Sequence, residues 1–246
     1  MNHSGEGNRL SGRPLAIMGF HKIGPPSPGG WETWYYITEE TFLGYLTFLQ
    51  QNDWHVISIE AMLKGLEDPG GLPERAAVLS FDDGYRTLVD YALPCLRQFN
   101  FPGVVFVPTD FIGKHNEFDA NTSEPQEPIC GWDELRELER HGVSVQSHGA
   151  SHRSFGELGL ADLEEELRRS KEVLESGLGK SVEMLAYPYG DGGARPEEVE
   201  AALARCGYRA ACLYGDGPNS LPIRNPFRLE RVAMGPDTDL NFELGG

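Results

Sequence analysis

Short apolar segments alternate with amphipathic segments along almost the whole chain. Several apolar segments, such as AAVLSF at residues 76–81 and VVFV at residues 104–107, are nearly continuous hydrophobic runs. Runs of this kind are typical of strands that are covered on both faces. The pattern predicts strands at residues 15–20, 55–59, 76–81, 103–107, 143–147, 184–187, 208–213 and 229–234.

Helical patterns lie between these strands. Thr38 is placed to cap a helix that ends near Asn52, and two glutamates follow the cap, where they interact favourably with the helix dipole. Further helices are predicted at residues 86–98, 132–141, 160–176 and 196–206. Because repeated strand–helix units form parallel sheets, the sequence predicts a single-domain α/β fold. Seven or eight such strands favour a closed (β/α) barrel over an open sheet.

Three segments fall outside this alternation. Residues 1–13 are polar and glycine-rich and are predicted to be a disordered tail, so the barrel domain is expected at residues 14–246. Residues 24–36 form a loop that is rich in proline, glycine and aromatic residues. Residues 113–131 form a long polar loop, and loops of that length are usually functional lids or mobile insertions.

The charge of the chain argues against some classes of partner. Its 246 residues carry a formal net charge of −17, so binding to nucleic acid or to an anionic membrane surface is not expected. The sequence shows no apolar run as long as a transmembrane helix and no visible signal peptide, which predicts a cytoplasmic protein, with export of a processed form as the alternative. Its four cysteines are too few for a disulfide framework. The oligomeric state is not indicated by the sequence.

Two motifs carry residues that could perform chemistry. In LSFDDGY, an apolar strand ends in Asp82 and Asp83, although Asp-Gly is also a common turn signal. In SHGASHR, His148 and His152 are four residues apart, so they would share one face of a helix or helical turn. Two imidazoles and a carboxylate make a three-ligand metal site with an open position. The alternative is a pair of polar loop histidines.

Two weaker motifs follow other strands. In LAYPYGDGG, a backbone N–H near Tyr189 is placed to face a developing oxyanion, or the segment is a plain turn. In GFHKIG, His21 follows the first strand. All four motifs fall just past the C-terminal ends of predicted strands: the aspartate pair, the histidine pair, His21 and Tyr189. In a parallel barrel those ends meet on one face, where barrel enzymes place their active sites.

Together these motifs resemble the polysaccharide deacetylase family, which includes chitin, peptidoglycan and poly-N-acetylglucosamine deacetylases. The resemblance rests on the strand-end DDG of Asp82, Asp83 and Gly84 and on the paired His148 and His152. It covers nearly the whole chain after the tail, and it implies a distorted (β/α)7-type barrel.

The resemblance also implies a role for each motif residue. Asp83, His148 and His152 would bind a divalent metal ion, with Zn2+ the expected one. Asp82 would be the general base that activates a water molecule. The backbone N–H of Tyr189 would help to hold the oxyanion.

The sequence departs from the family pattern in three places. Gly149 stands where the motif has Ser or Thr, and Ala186 stands where many members have an arginine that orients the base aspartate. The late Leu-x-His motif, which supplies the general acid, is missing. Arg231 is the candidate to orient Asp82. His21 is the candidate acid, because a subgroup similar to the poly-N-acetylglucosamine deacetylases carries a histidine after the first strand.

The sequence therefore predicts a metal-dependent hydrolase that removes N-acetyl groups from an N-acetylated sugar or polysaccharide. One alternative is an acetyl esterase or another non-peptide amidase that uses the same site. Another is a catalytically silent carbohydrate-binding barrel. The loop after His21 carries aromatic residues that could stack on sugar rings or pack against the barrel: Trp31, Trp34, Tyr35 and Tyr36.

Overall fold

A computed structural model describes residues 12–245 of the chain. Its strands are β1 (Arg13–Phe20), β2 (Lys22–Ile23), β3 (Tyr36–Ile37), β4 (His55–Val56), β5 (Ala76–Phe81), β6 (Gly103–Val107), β7 (Val143–Ser147), β8 (Met184–Ala186), β9 (Ala210–Asp216), β10 (Asn219–Leu221) and β11 (Leu229–Ala233). Its α-helices are α1 (Glu39–Gln51), α2 (Ile59–Glu67), α3 (Leu93–Phe99), α4 (Trp132–Arg140), α5 (Leu160–Leu178), α6 (Pro196–Arg205) and α7 (Leu240–Leu244).

Seven parallel strands close into a barrel in the order β1, β5, β6, β7, β8, β9, β11. Closure depends on β1, which pairs with β5 from Leu15 opposite Ala76 to Phe20 opposite Phe81, and with β11 on its other side. The short strand β4 extends the sheet beside β5, and β10 runs antiparallel to β1. The structure thus confirms the single-domain (β/α)7-type barrel.

Alternate side chains of most barrel strands belong to two separate buried clusters, as the two-residue period of a strand requires. Ala16 and Met18 of β1 pack in a layer with residues of α1 and α5, between the barrel and its helices. Leu15 and Ile17 belong to the other cluster, which also contains Met62 of α2. This double coverage explains the nearly continuous apolar runs of the barrel strands.

Two predicted elements differ from the structure. The strand predicted at residues 55–59 ends at Val56, because Ser58 caps α2 by accepting a hydrogen bond from the Ala61 backbone N–H at 3.2 Å. Helix α2 itself was not predicted. The helix predicted at residues 86–98 begins as a π-helical segment, Leu88–Ala92, and continues as α3. The spacing of apolar residues does not distinguish a π-helix from an α-helix.

The N-terminal tail predicted at residues 1–13 lies outside the described residues, except for Gly12 and Arg13. Arg13 already belongs to β1. Within residues 12–245, no helix combines the length and the hydrophobicity needed to cross a membrane.

Candidate metal centre and active-site pocket

Three buried side chains from two strand ends converge at the C-terminal face of the barrel. Asp83 follows β5, and His148 and His152 follow β7. The Oδ1 atom of Asp83 lies 3.4 Å from Nε2 of His148 and 3.1 Å from Nε2 of His152. Ligand atoms from the three side chains lie within 4.8 Å of one another. The structure therefore brings together the three residues predicted to bind a metal ion.

Left-handed backbone conformations turn these side chains inward. Asp83 has a φ of 68°, His152 of 58° and Gly149 of 73°. Because such values interrupt a right-handed helix, His148 and His152 lie in a loop and not on the helical turn that their spacing suggested. Gly84 follows with a φ of 70°, and a Cβ atom there would lie 3.1 Å from Cγ2 of Val107.

The donor atoms of this cluster fit a divalent cation. Oδ1 of Asp83 is buried and has no hydrogen-bond partner among residues 12–245. Burial raises the pKa of Asp83, but the neighbouring His152 and His148 more than compensate and hold it well below its ordinary value, so the carboxylate is charged. His148 uses Nδ1 to donate to the Ala186 carbonyl at 2.7 Å, which leaves the Nε2 lone pair for a metal ion.

Asp82 is adjacent in sequence but lies in a different environment. Arg231 of β11 donates two hydrogen bonds to it, from Nη1 to Oδ1 at 2.6 Å and from Nη2 to Oδ2 at 2.8 Å. Arg231 is itself fully buried, and its Nε donates to the Leu213 carbonyl at 2.6 Å. Burial raises the pKa of Asp82, but its pKa is lowered overall, and the charge of Arg231 is the largest of the effects that lower it. Arg231 thus occupies the position from which it can orient Asp82.

His21 lies beside Asp82 in the candidate site. Its Nε2 is 4.0 Å from Oδ2 of Asp82, and its ring packs against Tyr35 and Tyr214 with centroid distances of 4.7 Å and 5.3 Å. Burial lowers the pKa of His21, and the charges of Asp82 and Asp83 offset only part of that effect. The imidazole therefore reaches the candidate site, but its neutral form is favoured more than in water.

Tyr189 reaches the site from the segment after β8. Its φ of 58° turns the backbone at this point, and its ring lies 4.7 Å from the His152 ring. The residue is 59% exposed and lines the cavity, so it forms part of the rim.

These residues line one cavity of about 430 Å³. Its wall contains the predicted site residues His21, Asp82, Asp83, His148, His152 and Tyr189. Arg231 is not part of this wall and donates its hydrogen bonds to Asp82 from outside the cavity. The volume lies in the range of small-molecule sites, and several titratable groups converge in it.

A family model for polysaccharide deacetylases matches residues 70–211, more than half of the chain. This chain belongs to the polysaccharide deacetylase family. The match spans the DDG and paired-histidine motifs, so the sequence-based assignment is confirmed.

Individual relatives are distant in sequence. YxkH of Bacillus subtilis is 22% identical over 200 residues, which cover 81% of this chain and 66% of that protein. The poly-beta-1,6-N-acetyl-D-glucosamine N-deacetylase of Staphylococcus epidermidis is 25% identical over 158 residues, covering 63% of this chain and 54% of the relative. The chain thus spans only about half to two thirds of these relatives. The structure of the Streptococcus pyogenes deacetylase PplD is similar in fold, with a TM-score of 0.79, 18% identity and coverage of 95% of this chain and 98% of that one.

Two departures from the family motifs have visible consequences. Ala186 has no side chain that could orient Asp82, and Arg231 from β11, which β1 separates from β5, pairs with Asp82 instead. The backbone carbonyl of Ala186 still contributes, because it accepts the hydrogen bond from His148. Gly149 has no hydroxyl that could brace the loop between His148 and His152. Glu166 of α5 contacts that loop instead, because it accepts a hydrogen bond from the Ala150 N–H.

The pocket also contains residues that the sequence did not suggest. Lys22 is 1% exposed, and its Nζ lies 2.5 Å from Oε2 of Glu124 and 4.7 Å from the centroids of the Tyr36 and Tyr85 rings. Asp119 accepts a hydrogen bond from the Tyr85 hydroxyl at 3.1 Å. The only indication in the sequence that Lys22 lies in the pocket is that it directly follows His21. Asp119 and Glu124 come from the long loop, where no periodic pattern indicates which side chains point inward.

The long loop at residues 113–131 packs over the site and against the aromatic loop at residues 24–36. Phe118 stacks on the His152 ring with a centroid distance of 4.2 Å. Glu127 is completely buried and accepts hydrogen bonds from Ser27 N–H at 2.7 Å and from the Tyr36 hydroxyl at 2.7 Å. The two loops therefore form one connected rim.

The aromatic residues of this rim divide into two groups. Tyr36 is buried, as expected of a side chain that packs against the barrel. Trp31, Trp34 and Tyr35 are 53%, 42% and 37% exposed. Trp31 and Trp34 each donate a hydrogen bond from the indole N–H, to the Ser123 carbonyl at 3.0 Å and to Asp237 at 3.1 Å, so their polar edges are fixed.

Proposed function

We propose that this chain is a metal-dependent hydrolase that removes N-acetyl groups from an N-acetylated sugar or polysaccharide. The observation that carries this proposal is the contrast between two adjacent carboxylates. Asp83 faces both imidazoles, whereas Asp82 lies in the same cavity outside the ligand set, paired with Arg231. Hydrolysis of an amide at a metal centre requires one group that binds the metal ion and a separate group that acts as the base.

Asp83, His148 and His152 would hold the cation, and Zn2+ is expected because one carboxylate and two imidazoles are typical zinc ligands. Such an ion lowers the pKa of a water molecule and polarises the acetyl carbonyl.

Asp82 accepts a proton from the attacking water in the proposed reaction. Arg231 supports this role, because it keeps Asp82 charged and holds both carboxylate oxygens in one orientation. The water oxygen bonds to the acetyl carbon, and negative charge develops on the carbonyl oxygen. The backbone N–H of Tyr189 is our candidate donor to that oxygen.

His21 donates a proton to the departing amine when the carbon–nitrogen bond breaks, which leaves acetate and a free amino sugar. Its place in the same cavity as Asp82, at 4.0 Å from it, supports this role, because proton acceptor and proton donor could then reach the same reacting group. General acid–base groups of this kind contribute about 10²–10⁴-fold each to the rate.

A sugar substrate is supported by the aromatic rim. Tyr35 and Tyr189 both line the cavity and flank it next to His21 and His152 respectively. Aromatic rings offer sugars an apolar face at low cost in conformational entropy. Trp34 contacts Tyr35 at a centroid distance of 5.6 Å and extends the aromatic surface away from the cavity, as a polymer would need.

The experiment that tests this function is an acetate-release assay on metal-stripped protein and on protein reloaded with Zn2+. N-acetylglucosamine oligomers and acetylated xylan are the two substrates, and Asp83→Ala is the control for unspecific metal effects. Metal-dependent release from the oligomers supports the proposal. Release from xylan alone would identify an acetyl esterase. Oligosaccharide binding without any acetate release would identify a silent carbohydrate-binding barrel.

A further inference from the structure

The two histidines of the candidate metal centre are held by different means. The ring of His148 is oriented by the hydrogen bond from its Nδ1 to the Ala186 carbonyl. Nδ1 of His152 is buried and has no hydrogen-bond partner within residues 12–245. Metal-binding imidazoles normally donate this second N–H to an acceptor, which fixes the ring. The orientation of His152 must therefore depend on ring packing and on its backbone.

The backbone that leads to His152 is held by one carboxylate from α5. Oε1 of Glu166 accepts a hydrogen bond from the Ala150 N–H at 2.8 Å, a second from the Ser151 N–H and a third from the Ser151 hydroxyl at 2.9 Å. Glu166 is only 7% exposed. A buried carboxylate that accepts several hydrogen bonds forms strong, charge-assisted contacts, so it is well suited to fix a loop.

The loop is shaped to receive this carboxylate. A Cβ atom at Gly149 would lie 3.3 Å from Oε1 of Glu166 and 3.5 Å from the Phe155 ring, and Gly149 has a φ of 73°. A glycine therefore both allows the turn and leaves room for the carboxylate. On the other side of the loop, the Ala150 carbonyl accepts a hydrogen bond from the Asp110 N–H at 2.9 Å.

We propose that Glu166 is a positioning residue that sets the place of His152 relative to His148 and thereby the metal affinity of the site. Glu166 does not touch the ligand atoms and acts through the backbone of residues 150 and 151. This inference rests on the metal centre of the proposed function, but not on the identity of the substrate or on the reaction.

The test is the affinity of metal-stripped protein for Co2+ and Zn2+ in Glu166→Ala and Glu166→Gln. Removal of groups that orient metal ligands typically costs about 10–100-fold in metal affinity, and we expect a loss of this size in Glu166→Ala. Glu166→Gln keeps an acceptor oxygen of the same reach, so it should restore most of the affinity. The visible absorption of bound Co2+ should change in Glu166→Ala and resemble that of the unmodified protein in Glu166→Gln.

Glu172→Ala is the matched control, because Glu172 lies on the same helix and its side chain is 59% exposed and paired with Arg168. It should bind both metals as the unmodified protein does. Circular dichroism checks that each variant is folded. If Glu166→Ala does not fold, Glu166→Asp replaces it, because the shorter side chain withdraws the carboxylate from residues 150 and 151 and should cause the same kind of loss. Unchanged affinity and spectrum in folded Glu166→Ala, or a loss in Glu166→Gln as large as in the alanine variant, would overturn the inference. If the unmodified protein binds no metal, the proposed function itself fails.

Discussion

On one side of the pocket, Asp83 and two imidazoles point their ligand atoms at one another, and Oδ1 of Asp83 has no hydrogen-bond partner among residues 12–245. On the other side, Asp82 and Arg231 are equally buried, but each carboxylate oxygen accepts a hydrogen bond from the guanidinium. Buried charges require compensation. On the first side, a bound cation could compensate the charge of Asp83. On the second side, the guanidinium of Arg231 already compensates the charge of Asp82.

In the proposed reaction, this difference separates metal binding from catalysis within a single Asp-Asp pair. The side that lacks a partner would bind the metal ion, and the side that is already paired would keep a charged base in a fixed orientation. Substitutions on the two sides should therefore have different effects on metal content and on rate.

The largest effect should come from Asp82→Asn. An amide cannot accept a proton from water, so we expect the rate of acetate release to fall by about 10⁴-fold, the upper end of what a general base contributes. Metal content, measured by elemental analysis, should stay unchanged. Asp83→Ala is the counterpart and should lose the metal. A variant of Asp82 that loses metal, or one that keeps its full rate, would contradict the separation of roles.

The second prediction concerns the stability of the paired side. Arg231→Met leaves the buried Asp82 carboxylate without its partner, which should reduce the free energy of unfolding by about 3–5 kcal/mol. Urea denaturation measures this change. The control is Arg209→Met, because Arg209 pairs with Glu67 and Glu183 at the surface and should cost about 0–1 kcal/mol. Equal losses in both variants would show that Arg231 has no special role.

A third prediction concerns proton donation by His21. We expect His21→Asn to lower the rate on N-acetylglucosamine oligomers by about 10²-fold, the lower end for a general acid, because burial lowers the pKa of His21 and reduces its protonated fraction. Metal content should not change. On 4-nitrophenyl acetate, whose leaving group needs no proton, the loss should be much smaller. An equal loss on both substrates would remove His21 as the acid.

The sequence predicted the parts of this molecule that repeat or that stand at strand ends. The barrel follows from the alternation of apolar strands and amphipathic helices, and Asp83 and His148 follow strands whose C-terminal ends must meet on one face. Helix α2 was missed because a neighbouring apolar run concealed the cap at Ser58.

The contacts that the sequence could not predict join segments far apart in the chain. Glu127 reaches the aromatic loop across about a hundred residues, and Glu124 pairs with Lys22 over a similar separation. Neither lies in an element with a hydrophobic period, so nothing local indicates that it is buried. Arg231 could be named as the residue that orients Asp82 only because the family resemblance implies an arginine for this role and Ala186 stands at its usual position.

The smallest expected effect lies outside both sides of the pocket, at the aromatic rim. Trp34→Ala removes a half-exposed ring whose indole N–H is tied to Asp237, and a lost ring contact of about 0.5–1.5 kcal/mol corresponds to a roughly 2–10-fold higher KM. The increase should appear with long N-acetylglucosamine oligomers and not with the monomer, while kcat stays constant. Phe242→Ala is the control, because Phe242 is 81% exposed on α7. An identical change in KM for monomer and oligomer would mean that Trp34 supports the pocket and does not contact a polymer. Trp34 would then belong with Tyr36 as a packing residue.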